Sequence, residues 1–311
     1  MNLLLHKRWN IRPDVERAIV HQQPIVALET AVVTHGLPFP TNLALAQKME
    51  QVILEEKALP ATIGVLDGKV QIGLNENQLA ELADPKTEVQ KISQRDFGIA
   101  LVSGFNGGTT VGGTMVAASK AGIRIFATGG IGGVHREPAF DVSADLMALN
   151  SIPMIVVCSG AKSILNLSAT IEVLESYGVP VIGYKTDEFP AFYAAESGLP
   201  VTTRVDSVKM IAKIAREQWR SGLRNAILVV QPPPQESALP AAEMETIIQA
   251  AIEDARNKNI FGAALTPYLL DRINQLSEGR SMFANLALLE NNARLAAKIS
   301  RAYYKSRDKM I

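Results

Sequence analysis

A three-layer α/β/α fold around a central, mixed β-sheet is predicted by two features of the sequence. From Gly122 onward, short β-branched runs alternate with segments whose apolar residues recur at helical spacing. In the first third, a buried-looking run is followed by a helical pattern and then a hairpin signal. Alternation of strand and helix favours parallel pairing with helices on both faces, and the hairpin adds an antiparallel pair.

Taken in order, residues 25–28 read as a buried strand and 42–57 as an amphipathic helix. Residues 62–66 and 69–72 form a hairpin around Asp67-Gly68. Strands are then expected at 123–128, 152–157, 179–184, 201–205 and 226–230. Helices at 163–177 and 207–219 join some of them, each opened by a serine suited to capping. Three consecutive prolines within 231–240 mark a loop. Helices at 241–258, 267–277 and from 281 to about 305 complete the chain. Residues 1–311 are thus expected to form one domain with a helical C-terminal third, free of repeats and low-complexity tracts.

Composition narrows the function. The 311 residues are 47% hydrophobic and 20% charged, with 31 basic and 31 acidic side chains, so no net field draws the chain to nucleic acid or to an anionic membrane. The basic residues near the end (Arg294, Lys298, Arg301, Lys305 and Arg307) read as a solvated or subunit-facing stripe on a terminal helix. The N-terminal segment lacks the apolar length of a secretory signal, and apolar stretches elsewhere fall short of the roughly 18 residues a membrane span needs. The lone Cys158 lies inside an apolar run and reads as buried filler; one cysteine excludes an internal disulfide, and a cytoplasmic home is expected.

The candidate chemistry begins at Lys162, in Ile155-Val156-Val157-Cys158-Ser159-Gly160-Ala161-Lys162-Ser163. A lysine after a buried strand sits beside low-dielectric protein, which disfavours its charged form and makes it a candidate nucleophile. Taken alone, the segment also permits a lysine that merely reaches solvent. Two glycine-rich stretches, 104–114 and 128–136, come next. The first leads into a helical pattern, where backbone N–H groups could cradle a phosphate and Thr109 and Thr110 could add hydroxyl donors; tight turns serving packing alone are the alternative. Neither stretch has the dinucleotide fingerprint, and Gly160-Ala161-Lys162-Ser163 lacks the upstream glycine of a nucleotide P-loop. His35 and His135 lie beside glycines, whereas His6 and His21 read as surface residues.

Several segments in the same order resemble one family. They are Ala27-Leu28-Glu29-Thr30, Thr34-His35-Gly36-Leu37-Pro38, Asn106-Gly107-Gly108-Thr109-Thr110-Val111, Ala127-Thr128-Gly129-Gly130-Ile131-Gly132-Gly133-Val134-His135-Arg136, Phe140-Asp141-Val142-Ser143-Ala144-Asp145-Leu146, Ser159-Gly160-Ala161-Lys162-Ser163-Ile164-Leu165 and 183–193. The chain resembles the pseudouridine 5′-phosphate glycosidase, or indigoidine synthase A-like, family over about residues 13–300.

The resemblance implies a lyase that reversibly splits pseudouridine 5′-phosphate into uracil and ribose 5-phosphate, assembled as a homotrimer and using manganese, or magnesium or another divalent ion. It maps the covalent lysine to Lys162, the acid/base carboxylate to Glu29 and the metal ligand to Asp141. It places substrate binding at Lys91, Thr109, Thr110, Val111, Ser143, Ala144 and Asp145, with His135 and Asn285 at base or ribose recognition. Without the resemblance, Asp141 reads as a helix cap, since no His/Cys cluster marks a metal site. Departures from the family pattern are Asn166, where aspartate is common, and Gln231-Pro232, where Asn-Pro is expected.

Two rival readings share part of this pattern. A Schiff-base aldolase on another sugar phosphate would keep Lys162 and the glycine cradle and would act without any pyrimidine. A non-catalytic sugar-phosphate sensor would keep the cradle, bind ribose 5-phosphate without turnover, and have no need of both Glu29 and Lys162.

Overall fold

The computed structural model describes residues 7–137, 141–260, 262 and 265–305. His6, Phe140 and Arg307, named above, lie outside the described residues. The strands are Trp9–Ile11 (β1), Ile25–Leu28 (β2), Leu59–Leu66 (β3), Lys69–Ile72 (β4), Gln90–Ile92 (β5), Gly107–Thr109 (β6), Ile125–Ala127 (β7), Val134–His135 (β8), Ile155–Cys158 (β9), Leu165–Asn166 (β10), Val181–Tyr184 (β11), Thr203–Val205 (β12) and Ile227–Val230 (β13).

The main sheet runs β1-β4-β3-β2-β7-β9-β13-β11-β12, with β6 on β3 and β5 on β6. From β3 through β2 to β12 every pairing is parallel, whereas β3 pairs antiparallel with both β4 and β6. The sheet is therefore mixed, and the hairpin at Asp67-Gly68 supplies one of its antiparallel pairs. β2, β9 and β13 are buried along their whole length, as their unbroken apolar runs require of strands covered on both faces.

Two expected strands begin late for the same reason. Pro153 and Pro180 precede β9 and β11 and carry no N–H to give to a ladder. The helices at 207–219 and 241–258 are found as Val208–Arg220 and Ala241–Asn257, and the last two as Leu265–Leu276 and Arg280–Lys305. Arg280–Lys305 packs on β2, β7 and β9 and carries its buried residues at helical spacing.

The helix expected from Ser163 starts instead at Leu167, and its cap is Asn166, whose side chain accepts the Ala169 N–H at 3.0 Å. Residues 163–166 are drawn out of the helix because the chain turns back on the second glycine stretch. There Lys162 N–H donates to Ile131 O at 3.1 Å, and β10 pairs antiparallel with β8. That short pairing places His135 beside Leu165, three residues from Lys162.

Among the described residues, no helix is long and apolar enough to cross a membrane. Cys158 is fully buried, and burial pushes its thiol up to about 12, as suits packing rather than chemistry.

Candidate active site

Parallel register builds the site at the carboxyl ends of the central strands, where open α/β sheets hold their ligands. Leu28 on β2 stands opposite Ala127 on β7, so the next residues, Glu29 and Thr128, emerge side by side. Thr128 Oγ1 donates to Glu29 Oε1. Both are buried, and burial raises the pKa of Glu29; Lys162 and the Thr128 hydrogen bond oppose that rise.

Lys162 follows β9 by way of Ser159-Gly160-Ala161. Gly160 has φ +86°, the left-handed conformation that glycine adopts without a side-chain clash, and its carbonyl accepts the Ile131 N–H at 3.1 Å. The reciprocal bond from Lys162 N–H to Ile131 O locks this turn against the second glycine stretch.

Lys91 enters from β5, opposite Gly108 on β6. Although partly open to solvent, its ammonium is crowded by protein: desolvation lowers its pKa, Lys162 lowers it further, and Asp145 and Glu29 oppose. Glu29, Lys91, Lys162 and Asn285 line one chamber of about 620 Å³ of empty space, its open mouth included; Thr128 and Phe192 are among the other walls. Phe192 lies across Gly130, where an added Cβ would stand 2.7 Å from the ring, and its own φ is +64°.

The other predicted residues are not on the wall of this chamber. Thr110 caps the helix Val111–Ala121 by accepting the Gly113 N–H at 3.2 Å, so the first glycine stretch does lead to a helix N-terminus, with Val111 as its first residue. Thr109 is turned inward: its hydroxyl donates to Ile63 O and pairs with Thr114 Oγ1, both at 2.8 Å. That hydroxyl is spent on the core and cannot serve as the ligand donor the sequence suggested.

Asp145 is buried, and its carboxylate joins the two glycine stretches by accepting Gly112 N–H at 2.8 Å and Gly132 N–H at 2.9 Å. Ser143 caps the helix Ala144–Ser151 by accepting the Asp145 N–H at 3.3 Å, and Ala144 is exposed as its first residue. The Asp141 side chain is 44% exposed and lies 4.0 Å from His135 Nδ1. Burial lowers the pKa of His135, Asp141 opposes, and Lys162 and Lys91 add to the lowering. Among the described residues, no three His, Cys, Asp or Glu side chains converge as a metal cage.

Sequence reasoning missed three contributors. His35 lines the chamber with Nδ1 2.6 Å from Thr34 Oγ1, and burial lowers its pKa, with Lys91 reinforcing. Its glycine-flanked segment was the only hint. Thr128 opens the second glycine stretch, but nothing in that pattern marked its hydroxyl as a partner of Glu29. Asn292, whose Nδ2 donates to Thr128 O at 2.9 Å, carried no signal, being one polar residue inside a long helix.

Comparison with known proteins places this geometry. The model of the indigoidine synthase A like protein family matches residues 14–302. The chain belongs to that family. A pseudouridine-5′-phosphate glycosidase of Caldanaerobacter subterraneus subsp. tengcongensis is 47% identical over 94% of this chain and 95% of its own length. One from Paracoccus denitrificans is 48% identical over 94% and 97%.

Two solved structures extend the family likeness to three dimensions. Prealnumycin C-glycosynthase AlnA in complex with ribulose 5-phosphate superposes with a TM-score of 0.90 at 36% identity, covering 98% of this chain and all of that one. An indigoidine synthase A-like protein from Thermotoga maritima superposes at 0.88 with 32% identity, covering 96% and 98%. The shared α/β fold of this family is the one described above.

Proposed function

We propose that this chain reversibly cleaves the C-glycosidic bond of pseudouridine 5′-phosphate, giving uracil and ribose 5-phosphate. The observation that carries the reading is a lysine and a buried carboxyl in one chamber, Lys162 and Glu29, with Lys91 on its wall. The named activity of relatives 47–48% identical over nearly the full chain agrees with it.

A C-glycoside has no heteroatom to protonate as it leaves, so the usual glycosidase device fails and electrons must be supplied at C1′. Lys162, as the free amine, attacks C1′ while the C1′–O4′ bond breaks and O4′ takes a proton, and the new ammonium then gives up a proton so that its nitrogen regains a lone pair. Carbon 5 of uracil is then protonated. The lysine nitrogen pushes its lone pair into a C1′=N bond, and the C1′–C5 pair returns to the uracil ring. Water hydrolyses the imine, releasing ribose 5-phosphate and Lys162. Glu29 gives and takes the protons, a task served by the raised pKa that its burial imposes. Lys91 and the helix start at Thr110-Val111 suit the phosphate.

Among the described residues, the donors near Asp141 are its own carboxylate and His135, without the further protein ligands that zinc takes, so the place suits a hard divalent ion completed by water. Asp141 would hold manganese or magnesium in that way, and such an ion would neutralise charge on substrate oxygens. Assembly as a homotrimer and work in the cytoplasm belong to the same reading and rest on the family resemblance.

The test is to incubate the protein with uracil, ribose 5-phosphate and manganese and to look by chromatography and mass for pseudouridine 5′-phosphate. Product that requires metal and disappears in Lys162→Ala supports the reading. No conversion in either direction by the folded, metal-supplied protein overturns it.

A further inference from the structure

Beneath the chamber, three adjacent parallel strands end at one side chain. Asn292, fully buried in the helix Arg280–Lys305, donates from Nδ2 to Thr128 O at 2.9 Å and to Gly129 O at 3.4 Å, beyond the end of β7. The same Nδ2 lies 3.2 Å from Oγ of Ser159, which follows β9. Its Oδ1 accepts from Gln231 Nε2 at 2.9 Å, beyond the end of β13. All of these partners are buried, so each bond forms in a low-dielectric setting where a lost partner is costly.

We infer that Asn292 is the positioning residue that sets the relative placement of Glu29 and Lys162. Neither group touches it, yet it reaches Glu29 through Thr128 alone and Lys162 through the short turn that starts at Ser159. Thr128, whose carbonyl it holds, directs its hydroxyl onto Glu29. Ser159, whose hydroxyl it holds, begins the Ser159-Gly160-Ala161 turn that delivers Lys162. Thr128 and Gly129 also form part of the chamber wall, so the carboxamide fixes the level of that wall.

The two backbone carbonyls orient the carboxamide, and Gln231 completes it by donating to its Oδ1. The Thr128 and Gly129 carbonyls require a donor, and the Gln231 amide presents a donor to the opposite end, so only one of the two amide orientations satisfies both sides. The glutamine at this position, a departure from the Asn-Pro expected of the family, thus has a defined partner.

The inference rests on the roles proposed for Glu29 and Lys162, and its test separates the two. Misplacing reacting groups slightly costs far more in turnover than in binding, so Asn292→Ala lowers kcat in both directions by about 30-fold and leaves KM for ribose 5-phosphate within about 3-fold. Ser300→Ala is the matched control: Ser300 Oγ donates to Ile25 O at 2.9 Å from the same helix, at the far end of β2, and its loss keeps kcat unchanged. Competitive acetylation of Lys162 against Lys91, read by peptide mass, needs no turnover. The ratio shifts by at least about 3-fold in Asn292→Ala and stays fixed in Ser300→Ala, following the placement of the amine.

If Asn292→Ala does not fold, Gln231→Met keeps the carboxamide while removing the donor that anchors its Oδ1, and the expected fall in kcat is about 5-fold. Wild-type kcat with an unchanged acetylation ratio in the folded variant overturns the inference, as does an equal loss in Ser300→Ala. An inactive wild type overturns the proposed function, and the acetylation ratio then still decides whether Asn292 places Lys162.

Discussion

Oγ1 of Thr128 donates a hydrogen bond to Oε1 of Glu29, joining the ends of two neighbouring parallel strands at the proposed acid/base. That bond favours the ionised carboxylate, whereas burial favours the neutral acid and prevails. Thr128→Val removes the opposing contribution, so the pKa of Glu29 rises further. In cleavage, where Glu29 gives a proton, activity falls as pH rises through this pKa; in synthesis, where it takes one, activity falls as pH drops through it. Both limbs move to higher pH in Thr128→Val, and pH–rate profiles in the two directions check this.

Glu29→Gln keeps the size of the side chain and its ability to accept from Thr128 but cannot exchange a proton. Its kcat falls by about 100-fold or more, the usual contribution of a general acid/base. Steady-state rates on a variant with wild-type circular dichroism measure it, and a fall under about 3-fold would remove Glu29 from the mechanism.

Lys91→Met separates phosphate binding from chemistry. KM for pseudouridine 5′-phosphate rises by about 10-fold or more, while kcat/KM for the unphosphorylated nucleoside is little changed. Equal effects on both substrates would place Lys91 elsewhere in the reaction.

Asp145→Asn leaves one of the Gly112 and Gly132 N–H groups facing another donor. The buried mismatch costs about 1–3 kcal/mol, measured by denaturant unfolding. The residue matters first as the buckle between the two glycine stretches.

Glu50, in the helix Thr41–Glu55, accepts a bond from the Thr62 hydroxyl, and burial raises its pKa above the ordinary 4.5. A carboxyl whose folded pKa exceeds its unfolded one stabilises the fold below the unfolded value, and that stabilisation is lost as pH rises through the folded pKa. Glu50→Gln, which can still accept from Thr62, therefore gains melting temperature relative to wild type as pH rises from the ordinary carboxyl range through the raised pKa. Thermal melts across that range check the sign.

Much of this was legible in the sequence because strands such as β2 and β13 are unbroken apolar runs and helices such as Val208–Arg220 carry a clear periodicity. Lys162 and Glu29 were legible for the same reason, since each follows a run that must be buried. The short elements were not. β5 and β6 are three residues each and are defined by pairing rather than by pattern, so the route of Lys91 into the chamber could not be read. Ser163 has the chemistry of a cap, but the tertiary bonds of Lys162 to Ile131 moved the cap to Asn166. Thr109 and Thr110 are adjacent and chemically alike, and only the fold shows that one hydroxyl is spent in the core while the other caps a helix. Asn292 lies 164 positions from Thr128, a contact that no local pattern announces.

In the proposed mechanism Lys162 forms an imine with ring-opened ribose 5-phosphate, and reductive trapping captures that imine. The protein is incubated with ribose 5-phosphate and borohydride, digested, and its peptides mapped by mass. A reduced pentose-phosphate adduct is expected on Lys162, absent in Lys162→Ala and suppressed by phosphate competing for the site. A wild-type protein that makes pseudouridine 5′-phosphate under the same conditions, yet carries no adduct on Lys162, would contradict that mechanism.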